Sequence, residues 1–443
     1  MEQKREQWGS RWGFILATMG SAVGLGNIWR FSYAMGEGGG SAFLIIYIVS
    51  VLLLGFPVML MEFSIGRRSQ ADAVEAFKKL APGKPWFVAG GFGVLAAFLI
   101  LSFYGVIGGW SLRYTLEYLT GGVSGDPSDF FGGFISSTFD PVFWQFIFMA
   151  LTVAIVFIGV QKGIELTSKI MMPILSLLVI ALAIYSMTLG GTVEALEFMF
   201  MPDWSAFADP TIYVTAMGQA FFTLSLGMGI MLTYSSYLDP SSKLPSSAAI
   251  IIVLDTAFAI ISGLIIFPAL FAFGLDPAEG AGLVFIVLPN IFEALGGIGH
   301  IVGLVFFILF SIAALSSAIS LLEVSVAYFM RRLNMSRRPV TLMVGLAITL
   351  LGVLSSLSQG AMEITVLDQS FLDFVDGLTA NVLLPASALL SVLFVTWSWK
   401  KEDILTHTDI KGTAWAESFI IVSKFIAPLA ILVVLVMGLI NWL

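Results

Sequence analysis

The chain has 443 residues, of which 58% are hydrophobic and 11% charged, and 29 acidic against 21 basic residues give a net charge of −8. So apolar a composition excludes an ordinary soluble domain and predicts a protein embedded in lipid, and the acidic balance argues against nucleic acid as a partner. The chain has no cysteine, which excludes disulfides, thiolate catalysis and thiolate metal sites.

Eleven apolar runs are long enough to cross a bilayer as helices. The first follows the polar head MEQKREQWGSR without a small-residue cleavage site, so we interpret it as a retained span rather than a signal peptide. A shorter run at 281–295 contains a proline and predicts a helical hairpin in an outer loop. The eleven runs lie at 12–36, 41–66, 87–119, 141–159, 165–189, 211–237, 246–273, 300–330, 340–357, 374–398 and 417–441.

Basic residues fall on one side of this arrangement. With the N-terminus inside, the cytoplasmic segments carry basic clusters at 67–68, 78–84, 331–338 and 400–411. By the positive-inside rule, this predicts a multi-pass protein of the cell (plasma) membrane with a cytoplasmic N-terminus and an extracellular C-terminus. The outer loops at 120–140, 190–210, 274–299 and 358–372 contain no Lys or Arg and carry acids such as Asp126, Glu194, Asp203, Glu279 and Glu363.

The first span contains GSAVGLGNIWRF at 20–31, an unusual sequence for a helix in lipid. Gly20, Gly24 and Gly26 each weaken a helix by about 1 kcal/mol relative to alanine, so we expect an unwound turn. Broken backbone at membrane depth persists only where it lines a cavity or meets a ligand. Close helix packing through small residues is the alternative, and spacing alone leaves both open. Asn27 and Arg30 favour a site, because packing glycines do not need them.

Acidic side chains at membrane depth are costly, so each is a candidate for function. Small and polar residues follow Glu323 at helical spacing, and there we expect a structural hydrogen bond within the bundle. The other candidates are Glu62, Asp255, Asp373 and Asp376.

The sixth span contains a second interrupted stretch, GQAFFTLSLGMG at 218–229, in which glycines accompany the hydroxyls of Thr223 and Ser225. The first and sixth spans hold corresponding places in two sets of five, and such a pair indicates the central site of a transporter. Half-helix N-termini would attract an anion. Freed carbonyl and hydroxyl oxygens would bind a hard cation, for which sodium is the candidate.

Three stretches resemble the neurotransmitter:sodium symporter family: RWGFILATMGSAVGLGNIWRF with GEGGGSAFLIIY for the first span, GQAFFTLSLGMG for the sixth and AALSSAISLLEVSVAYF for the eighth. The resemblance covers nearly the whole chain. It implies an all-α membrane protein of eleven transmembrane helices, forming a single transporter domain over 1–443 with spans 1 and 6 unwound. An inverted 5+5 repeat would relate about 11–190 to about 210–399, followed by an extra span at about 417–441.

The resemblance implies two sodium sites built from oxygen ligands alone, a donor set that excludes soft metals. In the first site, the family's seventh-span position is Asp255 here, where many members have asparagine, and the substrate carboxylate completes the shell. Its other ligands would be the carbonyl of Ala22 and the side chains of Asn27 and Thr223. The second site would comprise the carbonyls of Gly20, Val23 and Ala313 and the hydroxyls of Ser316 and Ser317.

Chloride-dependent members of that family resemble this chain at Tyr47, Gln219 and Thr223, but they use a serine where this chain has Ala259. We therefore expect no chloride requirement, with Asp255 supplying the negative charge. A protonated Asp255 that is hydrogen-bonded within the bundle is the alternative.

The same resemblance implies a substrate pocket. Relatives that move biogenic amines have an aspartate at the place of Gly24, so the substrate here should bring its own carboxylate. A neutral, hydrophobic or aromatic α-amino acid fits best, and the flexible Met228 would admit several shapes, although ordinary packing is an equally open role for it. Leu25, Gly26 and Tyr104 would hold the carboxylate; Ala22, Phe222, Thr223 and Ser225 the ammonium; and Ile100, Phe222, Met228, Ser317 and Leu321 the side chain.

Arg30 and Asp376 resemble the outer gate pair of the family. At the cytoplasmic side, Arg5 and Trp8 match its inner gate. The expected acidic partner at the end of the eighth span is Arg331 here, which leaves the partner of the inner gate open.

The fifth span contains GIELTSKIMMP, in which Gly163 and Pro173 flank a stretch that we expect to unwind and admit water from the cytoplasm.

These features predict a symporter that couples sodium to amino-acid uptake by alternating access, with the lipid bilayer and a small molecule as its partners and no obligate protein partner inferred. A transporter of a compatible solute or a γ-amino acid is the alternative within the same class. A sodium channel or sensor is an alternative from a different functional class. An enzyme is disfavoured, because no nucleophile adjoins a base.

Overall fold

The computed structural model describes residues 6–275, 280–362 and 364–442, which are predominantly helical. Arg5, Glu279 and Glu363 lie outside these ranges. In chain order, the helices are α1 (Arg11–Ala22), α2 (Phe31–Glu37), α3 (Ser41–Ser69), α4 (Ala73–Leu80), α5 (Phe87–Thr120), α6 (Pro127–Ile135), α7 (Asp140–Ile158), α8 (Val160–Ser186), α9 (Thr192–Phe200), α10 (Pro210–Thr223), α11 (Ile230–Ser235), α12 (Leu244–Ala272), α13 (Val287–Ala294), α14 (Gly297–Leu333), α15 (Arg337–Leu357), α16 (Phe371–Ser398), α17 (Lys401–His407) and α18 (Ala416–Ile440).

Nine helices in the described ranges are long and apolar enough to cross a membrane: α3, α5, α7, α8, α12, α14, α15, α16 and α18. Large apolar side chains remain exposed on their outer surfaces; Leu177 of α8 is 68% exposed and Leu429 of α18 is 64% exposed. An exterior of this kind suits lipid rather than water. The only strands in these ranges are β1 (Thr365–Val366) and β2 (Gln369–Ser370), an antiparallel pair that precedes α16.

Two further helices are interrupted at the predicted glycine clusters. Helix α1 ends at Ala22, Val23 is extended (φ −74°, ψ 99°), and a π-helical turn over Gly26–Arg30 leads into α2. Helix α10 ends at Thr223, and the chain reaches α11 through left-handed backbone at Ser225 (φ 52°), Gly227 (φ 75°) and Gly229 (φ 71°). Glycine adopts this conformation without a steric penalty, so the glycines permit the second break.

The breaks lie against the most extensive helix pair in the described structure, formed by α14 and α5. Helix α1 packs on both α14 and α8. The segment predicted as an outer hairpin forms a 3₁₀ turn (Gly280–Leu283) followed by α13, and the Phe285 carbonyl accepts a hydrogen bond from Tyr114 Oη at 2.8 Å. These elements place both breaks beside a continuous helical wall.

Candidate functional site

A cavity of about 310 Å³ lies between the two backbone breaks and the facing surfaces of α5 and α14. Every residue predicted for substrate binding lines it except Leu25 and Thr223. Gly24, which the resemblance already relates to the substrate, also lines the cavity, whereas sequence reasoning missed three lining residues: Ser21, Ile230 and Ser320. The lining comprises Ser21, Ala22, Gly24, Gly26, Ile100, Tyr104, Phe222, Ser225, Met228, Ile230, Ser317, Ser320 and Leu321.

One end of the cavity is polar because backbone is exposed at the first break. The Leu25 N–H donates to Tyr104 Oη at 3.2 Å, so an amide and a phenolic hydroxyl lie side by side. A methyl group at Gly24 would overlap Ser317 Oγ and lie 2.9 Å from Tyr104 Oη. A larger residue at this position would therefore have to displace the Ser317 and Tyr104 side chains.

Serine hydroxyls form a network on the same side of the cavity. Ser21 Oγ lies 2.7 Å from Ser320 Oγ, and Ser225 and Ser317 both donate to the Ser21 carbonyl at 3.1 Å. Ser320 follows Ser317 by about one helical turn, which is the sequence signal that could have identified it. These bonds satisfy a carbonyl that the end of α1 leaves without a helical partner.

The residues predicted for the first sodium site come together beneath the break. Asn27 Nδ2 donates to Asp255 Oδ1 at 2.8 Å, and Thr223 Oγ1 lies 3.2 Å from each Asp255 carboxylate oxygen. Asn27 Oδ1 accepts the Gly24 N–H at 3.1 Å. All three side chains are buried. The cluster therefore brings together amide, hydroxyl and carboxylate oxygens at the first break.

The residues predicted for the second sodium site meet where α1 ends against α14. Ser316 Oγ donates to the Ala313 carbonyl at 2.9 Å and lies 3.5 Å from the Val23 carbonyl oxygen. A methyl group at Gly20 would lie 3.4 Å from Ser316 Cβ. In the described ranges, no three His, Cys, Asp or Glu residues gather around a common point. A cation here would be held by carbonyls and hydroxyls, donors that suit a hard ion.

Of the residues expected to bear on chloride, Thr223 and Tyr47 lie beside Asp255. Gln219 Nε2 donates to the Gly26 carbonyl at 2.7 Å, and Tyr47 is fully buried. Ala259 follows Asp255 by one turn of α12 and is also buried. The position that is a serine in chloride-dependent members of the resembled family thus presents only a methyl group.

Phe222 separates the central cavity from a second cavity of about 680 Å³ on its other side, which Arg30 and Asn381 also line. The Arg30 guanidinium carbon lies 4.5 Å from the centroid of the Phe222 ring. Within the described ranges Arg30 and Asp376 do not form an ion pair. In this conformation a cation–π contact covers this side of the cavity, and Asp376 interacts electrostatically with Arg30 without direct ion-pair contact.

Residues 6–10, here called the N-terminal latch, pack against α11 and the residues that follow it. Trp8 Nε1 donates to the Tyr234 carbonyl at 2.8 Å, and the Trp8 N–H donates to the Tyr237 carbonyl at 3.1 Å. Trp8 also packs edge-on against Tyr234, with ring centroids 5.1 Å apart. Trp8 thus joins the latch to α11, and its gating role remains a prediction, whereas Arg5 lies outside the described residues.

The latch ends in a buried charge cluster that sequence reasoning missed. Arg337 forms an ion pair with Glu6 and donates to Glu323 Oε1 at 2.9 Å, and Tyr237 Oη donates to that same oxygen at 2.6 Å. The latch contributes Glu6 to this cluster, and the helical bundle contributes Arg337 and Glu323. Glu323 has the structural hydrogen bonds that its surroundings in the sequence predict. Burial raises the pKa of the Glu6 carboxyl above its ordinary value, against the opposing effect of the Arg337 guanidinium.

Arg331 faces away from the latch. Its Nη2 lies 3.1 Å from Glu75 Oε1, and its Nε lies 3.9 Å from Asp72 Oδ2. Arg331 therefore joins the end of α14 to α4, which explains why a basic residue is compatible with the fold at this position.

Glu165 fastens the latch to α8. Its carboxylate accepts hydrogen bonds from the Gly9 N–H at 2.6 Å and the Ser10 hydroxyl at 3.0 Å, and Lys169 Nζ lies 2.6 Å away. A methyl group at Gly13 would overlap this carboxylate. The Glu165 side chain is only 3% exposed, so its charge depends on these partners.

The start of α8 is a π-helical turn over Val160–Glu165, and the Glu6 carboxylate accepts the Val160 N–H. A methyl group at Gly163 would overlap the Ile155 carbonyl oxygen, and Pro173 lies inside α8. After the π turn, the chain from Leu166 through Pro173 is α-helical. The unwinding expected between Gly163 and Pro173 remains a prediction.

A sequence model described as the sodium:neurotransmitter symporter family matches residues 5–125 and 137–443. The chain is 42% identical, over 98% of its length and 97% of the relative's, to the uncharacterized sodium-dependent transporter YhdH of Bacillus subtilis. It is 26% identical to the human sodium- and chloride-dependent transporter XTRP3, over 60% of this chain and 50% of that one. The crystal structure of MhsT in complex with L-phenylalanine superposes with a TM-score of 0.92 at 55% identity, covering 98% of this chain and all of MhsT.

Proposed function

The chain belongs to the sodium:neurotransmitter symporter family, and we propose that it takes up neutral, mainly hydrophobic or aromatic α-amino acids with sodium by alternating access. The observation that carries this proposal is the polarity of the central cavity. The Tyr104 hydroxyl, which accepts the Leu25 N–H, and the glycine backbone of the first break lie at one end, whereas Ile100, Met228 and Leu321 provide apolar walls. A zwitterion with an apolar side chain matches both parts.

The first break supplies the recognition of the carboxylate. The Leu25 and Gly26 amides begin the π turn that leads into α2, where the helix dipole favours an anion. Gly24 leaves no side-chain carboxylate in the cavity, so an amine without its own carboxylate would lack a counter-charge. The L-phenylalanine bound to MhsT supports a substrate of this class.

We also propose that the interrupted helices α1–α2 and α10–α11 each cross the membrane. Added to the nine continuous helices, they make eleven spans, with an inverted repeat of about 11–190 and 210–399 and an extra span at about 417–441. The distribution of basic residues places the N-terminus in the cytoplasm and the C-terminus outside.

Two sodium ions would accompany the substrate. The oxygen cluster of Asn27, Thr223 and Asp255 would hold one ion, and the carbonyls and hydroxyls between α1 and α14 would hold the other. Asp255 would supply the negative charge for which relatives named as chloride-dependent use an anion, and the methyl group of Ala259 supports this. Uptake would therefore not require chloride.

Alternating access would use the two closures on either side of the cavity. Phe222 with Arg30 covers the outer side, with Asp376 available to pair with Arg30 on tighter closure. The N-terminal latch covers the inner side, and unwinding of α8 between Gly163 and Pro173 would release it.

The test is uptake of radiolabelled L-phenylalanine into proteoliposomes, with sodium or potassium outside and chloride or gluconate as the anion. We expect uptake that requires sodium, is unchanged in gluconate, and is inhibited by hydrophobic amino acids. Tyr104→Phe should reduce substrate affinity, whereas Tyr185→Phe, which lies outside the cavity, serves as the matched control.

Competition by a γ-amino acid or a quaternary-ammonium solute, with no competition by hydrophobic α-amino acids, would replace this proposal with the compatible-solute alternative. Sodium flux that neither saturates nor depends on an organic substrate would indicate a channel.

A further inference from the structure

A long groove of about 1690 Å³ lies outside the transport site, between α4, the first turns of α5 and the end of α14. It runs along α5 from Phe87 to Phe98, a rise of about 16 Å at 1.5 Å per residue. This is close to the thickness of one leaflet of a hydrocarbon core about 30 Å thick. In the proposed orientation, the groove opens at the cytoplasmic surface of the membrane and ends near the bilayer centre.

The floor of the groove is an apolar stripe that no described part of the chain covers. Phe87 is 40% exposed and Leu95 is 46% exposed. Gly91 lies between them, and a methyl group there would meet no atom within 4 Å. The helical spacing places Phe87, Gly91, Leu95 and Phe98 along one face of α5. The floor thus has the length and polarity to hold a hydrocarbon chain.

The mouth of the groove carries three cations, Lys78, Arg331 and Arg332, against two carboxylates, Asp72 and Glu75. Arg331 lies against both carboxylates and offsets one of their two charges, so the five groups together carry a net charge of +1. Lys78 and Arg332 form no ion pair with any described residue, and Lys78 Nζ lies 5.3 Å from the Phe87 ring centroid. An excess of positive charge therefore stands where the apolar stripe begins.

We propose that this groove binds an anionic phospholipid of the cytoplasmic leaflet, with its phosphate at Lys78 and Arg332 and one acyl chain along the α5 stripe. A peptide segment would bring unpaired backbone groups to membrane depth, at a high cost, whereas a phospholipid combines an anion with a chain of leaflet length. The assignment to the cytoplasmic leaflet rests on the orientation given under the proposed function. The binding itself requires neither sodium nor substrate.

The test is native mass spectrometry of the purified full-length chain in detergent, with added phosphatidylglycerol or with phosphatidylcholine of the same acyl chains. We expect one phosphatidylglycerol to be retained in preference to phosphatidylcholine. Lys78→Gln with Arg332→Gln should weaken retention about 25-fold, at about fivefold for each cation removed from an anionic lipid surface. Lys162→Gln with Arg338→Gln removes two cytoplasmic cations elsewhere and should change nothing.

The part of the groove proposed to bind the acyl chain is tested by Gly91→Trp. The indole ring would fill the apolar stripe and should displace the lipid. Gly132→Trp, at another glycine with open space around it, is the matched control. Gly91→Leu is a milder second variant, and a monodisperse elution profile with an unchanged melting temperature shows that each variant is folded.

Equal retention of the two lipids would overturn the proposal, as would a Gly91→Trp protein that retains phosphatidylglycerol like the parent. Loss of lipid in the Gly91→Trp protein without loss in the charge variant would overturn the headgroup assignment. Because these measurements contain no sodium gradient and no amino acid, their failure is distinguishable from a failure of the proposed transport function.

Discussion

Replacement of Glu165 by alanine is expected to open the cytoplasmic side of the protein. The carboxylate of this residue accepts hydrogen bonds from the Gly9 amide at 2.6 Å and the Ser10 hydroxyl at 3.0 Å. These bonds hold the N-terminal latch to the start of α8. Alanine removes both acceptors and leaves Lys169 without the anion beside it. The variant therefore weakens the closed conformation without altering the central cavity.

The magnitude follows from the chemistry of these bonds. Hydrogen bonds to charged groups contribute about 1.5–3 kcal/mol, and we count the two bonds together at this value, because Glu165 regains water when the latch opens. A shift of about 1.5–3 kcal/mol changes a population ratio by about 10- to 150-fold. The fraction of molecules with an open latch should rise by that factor.

A single introduced cysteine can report this opening through its labelling by maleimide, because the chain has no cysteine of its own. Ser168 is buried on α8 and bonds only its own helix, at the Ile164 carbonyl. It lies one turn before Met172, which contacts α1 at Gly20. Maleimide should therefore reach Ser168→Cys only when the latch is open, and its labelling rate measures the open fraction.

Glu194→Ala is the control, because it removes an exposed acid of α9 far from the latch. Saturating sodium should slow labelling in the parent and in both variants. If the Glu165→Ala protein is labelled within twofold of the parent rate, the carboxylate does not hold the latch, and the account of the inner closure is wrong.

Three other predictions concern the cavity, the anion requirement and pH. Gly24→Ala should abolish equilibrium binding of radiolabelled substrate, because the added methyl group overlaps Ser317 Oγ; binding within twofold of the parent contradicts this. Asp255→Asn combined with Ala259→Ser should make uptake depend on chloride, whereas uptake that stays equal in chloride and gluconate argues against an anion role for Asp255. The pKa of Glu6 is raised when the latch is closed, so the closed latch binds more protons than the open one. Protonated Glu6 therefore favours closure at low pH, and this contribution is lost as the pH rises through the raised pKa. Labelling of the reporter cysteine, normalised to denatured protein, should accelerate over this range, and a profile that Glu6→Gln leaves unchanged would exclude this group.

Both backbone breaks can be predicted from the sequence because their cause is local. Gly20, Gly24 and Gly26 fall within seven residues, and Gly227 and Gly229 provide the left-handed backbone of the second break. The sodium and substrate sets have a different basis. These sets depend on contacts between spans that are distant in the sequence. Only the resemblance to a known family indicates which residues of those spans meet.

The charge cluster of the latch could not be predicted in this way, because no local pattern relates Glu6 to Arg337 across more than 300 residues. The run RRLNMSRR offers several basic residues at one membrane surface. The turn at Asn334, which is left-handed (φ 53°), ends α14 and directs Arg331 toward α4 while Arg337 is buried beside Glu323. The tertiary path of a turn thus decides which arginine meets the latch.

Helix α1 connects the latch to the binding site. It is 12 residues long, or about 18 Å, with the latch at one end and the Gly20–Val23 carbonyls at the other. An ion between those carbonyls and Ser316 would fix the C-terminal end of α1 to α14, while Glu165 fixes its N-terminal end to α8. Because the helix between these points is continuous, displacement of either end tilts the whole segment, and sodium binding and latch closure must stabilise each other. Slower latch opening in sodium is therefore expected even though the two contacts lie at opposite ends of one helix.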